Sequence, residues 1–186
     1  HRLAGLEDDH LALAEDLARD HDLVLTSSRP WAGETWVDGL SKTGRVRTLQ
    51  WDAESPDLVS RMMADLDTLE TQGWVISGAI ILAGSFPESP FGTWTQKDLE
   101  ATWRLNLSFP FLCAQALAPR LPEGSCLQVV LDTSIHRPWL QRLPYSAAKA
   151  GLASLVPGLA QLLAPEVRVV GHALGVLLPQ EGSDAA

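Results

Sequence analysis

Apolar positions Leu11, Leu13, Ala14 and Leu17 recur at helical spacing between Leu6 and Arg19, behind Gly5 and a run of acids suited to a helix N-terminus. This pattern predicts a first helix. Short apolar, β-branched runs predict strands at Leu23–Thr26 and Val46–Gln50, and a strongly apolar run predicts another at Val75–Leu82. A helical period spans Asp57–Glu70, between the last two, and a longer one spans Gln96–Leu117. A buried strand follows at Leu127–Leu131, then a helix beginning near Tyr145 and a final strand at Val167–His172. Pro30 to Thr43, with Trp31, Gly33 and Trp36, reads equally well as loop or short helix. No internal repeat or low-complexity tract interrupts the pattern.

Continuous apolar strands alternating with helices of ten or more residues imply parallel pairing through right-handed crossovers, hence an α/β fold with a doubly wound parallel sheet. Such sheets bind ligands at the carboxyl ends of their strands. The positions of interest are therefore Ser27 to Arg29, Asp52, Ala83 to Phe86 and Asp132 to Ser134.

The 186 residues, 46% of them hydrophobic, suffice for one domain with a core, and the chain reads as a single domain over 1–186. A net charge of −9 and a pI near 4.9, without any Lys or Arg cluster, argue against a nucleic-acid surface. A small-molecule partner is expected instead. No run of about 18 apolar residues could span a bilayer, and His1-Arg2-Leu3 lacks the layout of a secretion signal, so the expected compartment is the cytoplasm. Cys113 and Cys126 match no zinc or redox spacing and read as buried, reduced thiols. Glu7, Asp8, Asp9 and His10 are consecutive and do not converge on one ion, so no metal is expected.

Tyr145 and Lys149 are four apart, which on a helix places them on one face with Cβ atoms about 5–6 Å apart. A phenol with an ordinary pKa near 10 is a poor acid–base group at neutral pH, and a neighbouring ammonium lowers that value by favouring phenolate. Tyr145 is the only tyrosine in the chain. Taken alone, such a pair could equally be a surface contact on an ordinary helix.

The context of the pair decides more than its spacing. Pro144-Tyr145-Ser146-Ala147-Ala148-Lys149-Ala150-Gly151-Leu152 closely resembles the active-site helix of the short-chain dehydrogenase/reductase superfamily. Asn106, in Asn106-Leu-Ser-Phe-Pro110-Phe, resembles the family's asparagine, which helps hold a water near the lysine. Val167-Arg-Val-Val170 with Gly175 resembles the following strand and turn, and Asp52 falls where the family contacts adenine. The resemblance implies a Rossmann-like fold, with Ser28, Arg29, Ala83, Gly84 and Lys149 also at the cofactor. Arg29 is the candidate for a 2′-phosphate contact, which favours NADPH. It further implies a homo-dimer or homo-tetramer built on the helices carrying Asn106 and Tyr145.

Thirteen residues before Tyr145, where most of the superfamily has a serine, this chain has Asp132, a habit of the pteridine reductase group. Asp132-Thr-Ser-Ile-His-Arg137-Pro138 resembles that group's loop. Ala83-Gly84-Ser85-Phe86-Pro87 resembles its Ala-Ser-Ser-Phe stretch, whose phenylalanine stacks on the pterin. The implied catalytic set is Tyr145, Lys149, Asp132 and Asn106, with Ser85 and Phe86 at the substrate and Ser134 as a second candidate for the serine role. Asp132 could instead cap a turn at a strand end, and Phe86 could be core.

Other positions depart from the family. Around Gly5, acids replace the later glycines whose amides would hold the pyrophosphate: the stretch reads Leu3-Ala-Gly5-Leu-Glu7-Asp8-Asp9-His10-Leu11. A carboxylate about 4 Å from a phosphate repels it by roughly 4 kcal/mol at an effective dielectric near 20, which is about three decades of affinity. The same acids also suit a helix N-terminus that binds no phosphate. Ile81-Leu82 replaces the usual asparagine pair, and Leu174 stands where the family has proline. Pro157-Gly158 should interrupt the active-site helix. A full first strand, the last strand and the substrate lid are expected to be missing. Two functional readings follow: an NADPH-dependent reductase of a pterin-like or related heterocyclic or carbonyl substrate, or a non-redox pseudoenzyme or binding subunit of the same fold.

Overall fold

The computed structural model describes residues 4–30, 35–40 and 45–175. The described residues divide into two units, one up to Ser55, the other Pro56–Gly175.

In the first unit, α1 (Ala4–Leu17) leads to β1 (Leu23–Ser27), and α2 (Thr35–Leu40) leads to β2 (Val46–Gln50). The two strands pair in parallel, from Leu23 opposite Val46 to Ser27 opposite Gln50. The apolar stripe of α1 explains its seat: Ala14 and Ala18 are buried with Leu40, and Leu23, Leu25, Trp36 and Val46 pack against them. The ambiguous stretch after Pro30 thus contains a short helix. Trp31 and Gly33 lie outside the described residues.

The second unit is a three-stranded parallel sheet, ordered β3 (Gly78–Ile81), β4 (Ser125–Asp132), β5 (Val167–Leu174). Central β4 buries Leu127, Val129 and Leu131, the alternate residues of one face. α3 (Leu58–Thr71) buries Leu58, Met62, Leu66 and Leu69 at helical spacing. The ion pair of Arg120 Nε with Glu70, at 3.1 Å, ties α3 to the turn after α5. The expected parallel α/β architecture is present. The described strands nonetheless fall into two hydrogen-bonded sets rather than one, because none of them pairs with a strand of the other set.

Two helices differ from the sequence pattern. The predicted Gln96–Leu117 helix is α4 (Gln96–Trp103), a π turn (Arg104–Ser108) and α5 (Phe109–Leu117). Pro110, in the first turn of α5, has no N–H to return to Asn106, and the Phe109 N–H reaches back to Arg104 instead. In contrast, Pro157-Gly158 does not interrupt the active-site helix: α6 runs from Leu143 to Leu163 with Pro157 inside it. Both residues are exposed, so solvent can satisfy the Ala153 carbonyl that Pro157 leaves without a donor.

Behind α6 the packing is close. A Cβ added at Gly171 on β5 would lie 2.8 Å from Leu131 Cδ1 and 3.3 Å from Val156 Cγ2. Gly171→Val is therefore expected to cost about 1–3 kcal/mol through overpacking, lowering the thermal midpoint by roughly 2–4 °C per kcal/mol in a scanning melt. An unchanged midpoint would mean that the β4, β5 and α6 layers are looser than this.

Among the described residues no helix is long and apolar enough to cross a membrane, and no group of three or more His, Cys, Asp or Glu could hold a metal ion. Both cysteines are free; Cys113 is buried, which pushes its thiol up to about 12, and Cys126 is half-buried.

Candidate active site at the carboxyl ends of β3 and β4

Parallel strands bring their carboxyl ends to one edge, and in the second unit that edge gathers most of the polar candidates. Asp132 is the last residue of β4, and Tyr145 enters in the first turn of α6. The Tyr145 hydroxyl donates to Asp132 Oδ2 at 3.1 Å. The other carboxylate oxygen, Oδ1, accepts from the Ser134 N–H at 2.6 Å and from the indole Nε1–H of Trp139 at 3.3 Å. Asp132 therefore caps the 3-10 turn Thr133–Ile135 and holds the phenol as well.

Lys149 lies one helical turn on, 4% exposed, and its ammonium donates to the Val130 carbonyl at 2.9 Å. Burial pushes it down to about 8, an effect that Asp132 partly offsets. The expected lowering of Tyr145 by Lys149 is overturned. Burial and then the Asp132 carboxylate push the phenol above its ordinary value, and the cation that opposes them is Arg142. The i, i+4 spacing brings the stems together, but Lys149 Nζ is 5.9 Å from the Tyr145 ring centre and is turned to the strand.

Asn106 is fully buried in the π turn, which re-aims a helix side chain toward the strand ends. Its Oδ1 accepts from the Ser85 N–H at 3.1 Å, and its Nδ2 donates to Ser85 Oγ at 3.2 Å and to the Thr102 carbonyl at 2.9 Å. Between Ala83 and Ser85, a Cβ at Gly84 would lie 3.0 Å from Asn106 Oδ1 and 3.6 Å from Lys149 Nζ. A Cβ there would press on the Asn106 amide, while its distance to Lys149 Nζ is ordinary contact.

Phe86 meets the Tyr145 ring edge-on, with centroids 4.7 Å apart, and Trp139 at 6.3 Å. The Arg142 guanidinium lies 3.7 Å above its ring and donates to the Phe86 carbonyl and the Glu88 carboxylate. One face of Phe86 is thus covered by arginine rather than open. The Ser134 hydroxyl is buried and makes no hydrogen bond among the described residues.

Gly5, Ser28, Arg29 and Asp52 belong to the first unit. Gly5 lies in the first turn of α1. Ser28 and Arg29 are exposed just past β1, the Ser28 carbonyl accepting from Gln50 Nε2 at 3.2 Å. Asp52 follows β2, its Oδ1 accepting from the Glu54 N–H at 2.9 Å. The sequence reading missed Trp139, Arg142 and Ser146. They lie in or beside a loop without period, and only Pro138-Trp139, an indole on a short polar connection, offered a signal.

Parallel α/β units with a buried lysine, a carboxylate-bound tyrosine and a glycine at the strand ends define a Rossmann-like oxidoreductase framework. The model of the family described as short chain dehydrogenase matches residues 11–183, and the chain belongs to that family. The matched span begins after the acids that follow Gly5. The 1,6-dihydroxycyclohexa-2,4-diene-1-carboxylate dehydrogenase of Pseudomonas putida is 31% identical over 150 residues, which are 80% of this chain and 54% of that protein. The dihydromonapterin reductase of Klebsiella pneumoniae is 27% identical over 183 residues, covering 95% and 72%. A short chain dehydrogenase from Burkholderia cenocepacia, solved in complex with NADP, superposes with a TM-score of 0.75 at 26% identity, covering 87% of this chain and 67% of its own. The chain thus spans about half the length of the Pseudomonas relative.

Proposed function

We propose that this protein is an NADPH-dependent reductase of a pterin-like or related small heterocyclic or carbonyl substrate. The bond from Tyr145 to Asp132 carries the reading, because it places a carboxylate on the phenol where most of the superfamily has a serine. The similarity to a dihydromonapterin reductase supports the same substrate class. The family model runs through both units, which supports treating residues 1–186 as one domain.

The second unit fits the nicotinamide end of a dinucleotide. Gly84 leaves a cradle that a Cβ would fill, beside an ammonium that has one acceptor among the described residues and further N–H groups for ribose hydroxyls. Lys149 and the backbone of Ala83 and Gly84 would hold that end. Asp52 would meet the adenine, Ser28 and Arg29 the 2′-phosphate, and the amides near Gly5 the pyrophosphate. The bound nucleotide supplies the hydride.

Tyr145 supplies the proton. The phenol is protonated at neutral pH, as an ordinary tyrosine is, and its O–H at the strand edge is the group that would give the proton reduction requires. The proton passes from Tyr145 Oη to the substrate nitrogen or oxygen, and Asp132, at the strand edge, returns one from solvent. Asn106 fixes the Ser85 backbone and hydroxyl, and Phe86 borders the substrate position beside Tyr145. For assembly, the apolar groove lined by Leu107, Phe111, Leu112 and Leu155 supports a homo-dimer or homo-tetramer through the helices carrying Asn106 and Tyr145.

Turnover assays separate the substrate classes. NADPH with dihydromonapterin should give steady nucleotide oxidation, while a cyclohexadiene diol carboxylate with NADP should give little. The opposite pattern would replace the pterin reading with a diol dehydrogenase. Turnover of neither would favour the pseudoenzyme.

A further inference from the structure

We propose that Trp139 is a positioning residue of the proton relay, holding the Asp132 carboxylate so that one oxygen stays on Tyr145; this rests on the reductase reading above. A strand-end carboxylate can rotate, and nothing in a bond from Tyr145 alone decides which oxygen it uses or whether it turns to solvent. Here the far oxygen is pinned by two donors, the Ser134 N–H and the Trp139 indole N–H. A carboxylate held by several donors has its orientation fixed.

Trp139 is itself anchored to the helix that carries the tyrosine. Its backbone N–H donates to Ser146 Oγ at 3.1 Å, and Ser146 is the residue after Tyr145, buried at 3% exposure. The bonds therefore close a ring: Tyr145 to Asp132, Asp132 to Trp139, Trp139 to Ser146, and Ser146 to Tyr145 along the chain. The loop is held from its other side by the Ser89 N–H on the Gln141 carbonyl and by Arg142 on Phe86 and Glu88.

Core packing does not account for the indole. Trp139 is 41% exposed; its indole meets Asp132 and the edge of Phe86, and its backbone bonds to Ser146 Oγ and the Arg142 N–H. A residue with that set acts on the site rather than on the interior.

The test is a double-mutant cycle in the full chain, with NADPH and dihydromonapterin. Trp139→Phe keeps a ring against Phe86 and removes the N–H. It should lower kcat about tenfold, the scale of one hydrogen bond to a charged group, and leave both KM values within about twofold. In an Asp132→Ala background the same change should cost less than about twofold, because the carboxylate it positions is gone. An equal loss in both backgrounds would show that Trp139 acts through folding, and would overturn the proposal. So would an unchanged kcat, or a raised substrate KM at constant kcat, which would make Trp139 a substrate contact. Absence of turnover in the unaltered protein would remove the reductase reading and this inference together, whereas turnover with an indifferent Trp139 would remove the inference alone.

Discussion

Replacing Tyr145 with phenylalanine is expected to lower kcat about a thousandfold while leaving nucleotide affinity and the thermal midpoint nearly unchanged. The phenyl ring preserves the edge contact with Phe86, so the fold loses little. What disappears is the hydroxyl that donates to Asp132 and would give its proton to the substrate. General acid catalysis contributes about 10²–10⁴ in rate, and no other described side chain at this edge joins an O–H to the Asp132 side chain. Steady-state kinetics with NADPH and dihydromonapterin check this. A Tyr145→Phe protein with more than about a tenth of the original kcat would mean that the proton comes from elsewhere, with the buried Ser134 hydroxyl the next group to replace.

Lys149→Met should act on the nucleotide instead. The methionine fills much of the same buried volume but brings no donor to the ribose position and none to the Val130 carbonyl. Hydrogen bonds from charged groups contribute about 1.5–3 kcal/mol, so NADPH affinity should fall roughly 10- to 100-fold. The sign of the pH dependence follows from burial, which lowers Lys149 to about 8. Below that pH the side chain is charged and binding is full; as pH rises through about 8 the charge is lost and affinity declines. In Lys149→Met the same titration should be flat between about pH 7 and 9. A wild-type affinity that does not change over this range would place the ribose away from Lys149.

Much of this arrangement was legible in the chain. Strand periods locate β1 and β2 within a residue, and alternation with helices specifies the parallel architecture. The residues after β3 and β4 were expected to carry the chemistry, and Gly84, Ser85, Phe86, Asp132, Tyr145, Lys149 and Asn106 do assemble there. Three things were hidden for physical reasons. A hydrophobic period does not register where a helix changes hydrogen-bond register, so the π turn that aims Asn106 passed as ordinary helix. Spacing fixes where side chains start, not where their ends go: Lys149 turns to the Val130 carbonyl, burial and Asp132 push Tyr145 up, and the cation that lowers it is Arg142. Loops have no period, so Trp139 and Arg142, which lie between β4 and the body of α6, left no trace in the pattern. Pro157 does not stop α6, because a proline stops a helix only where the lost hydrogen bond cannot be replaced, and here the position is exposed.

The central claim is that the site at the ends of β3 and β4 works on a nicotinamide nucleotide, although, by the family resemblance, Asp8 or Asp9 and His10 or Leu11 stand at the later glycine places of the pyrophosphate turn. Calorimetric titration of the protein with NADPH tests it most directly. Saturable binding with one site per chain and a Kd between about 1 μM and 1 mM, weaker for NADH, is the predicted result. No heat of binding at millimolar NADPH would contradict it and leave the fold to a role without redox chemistry.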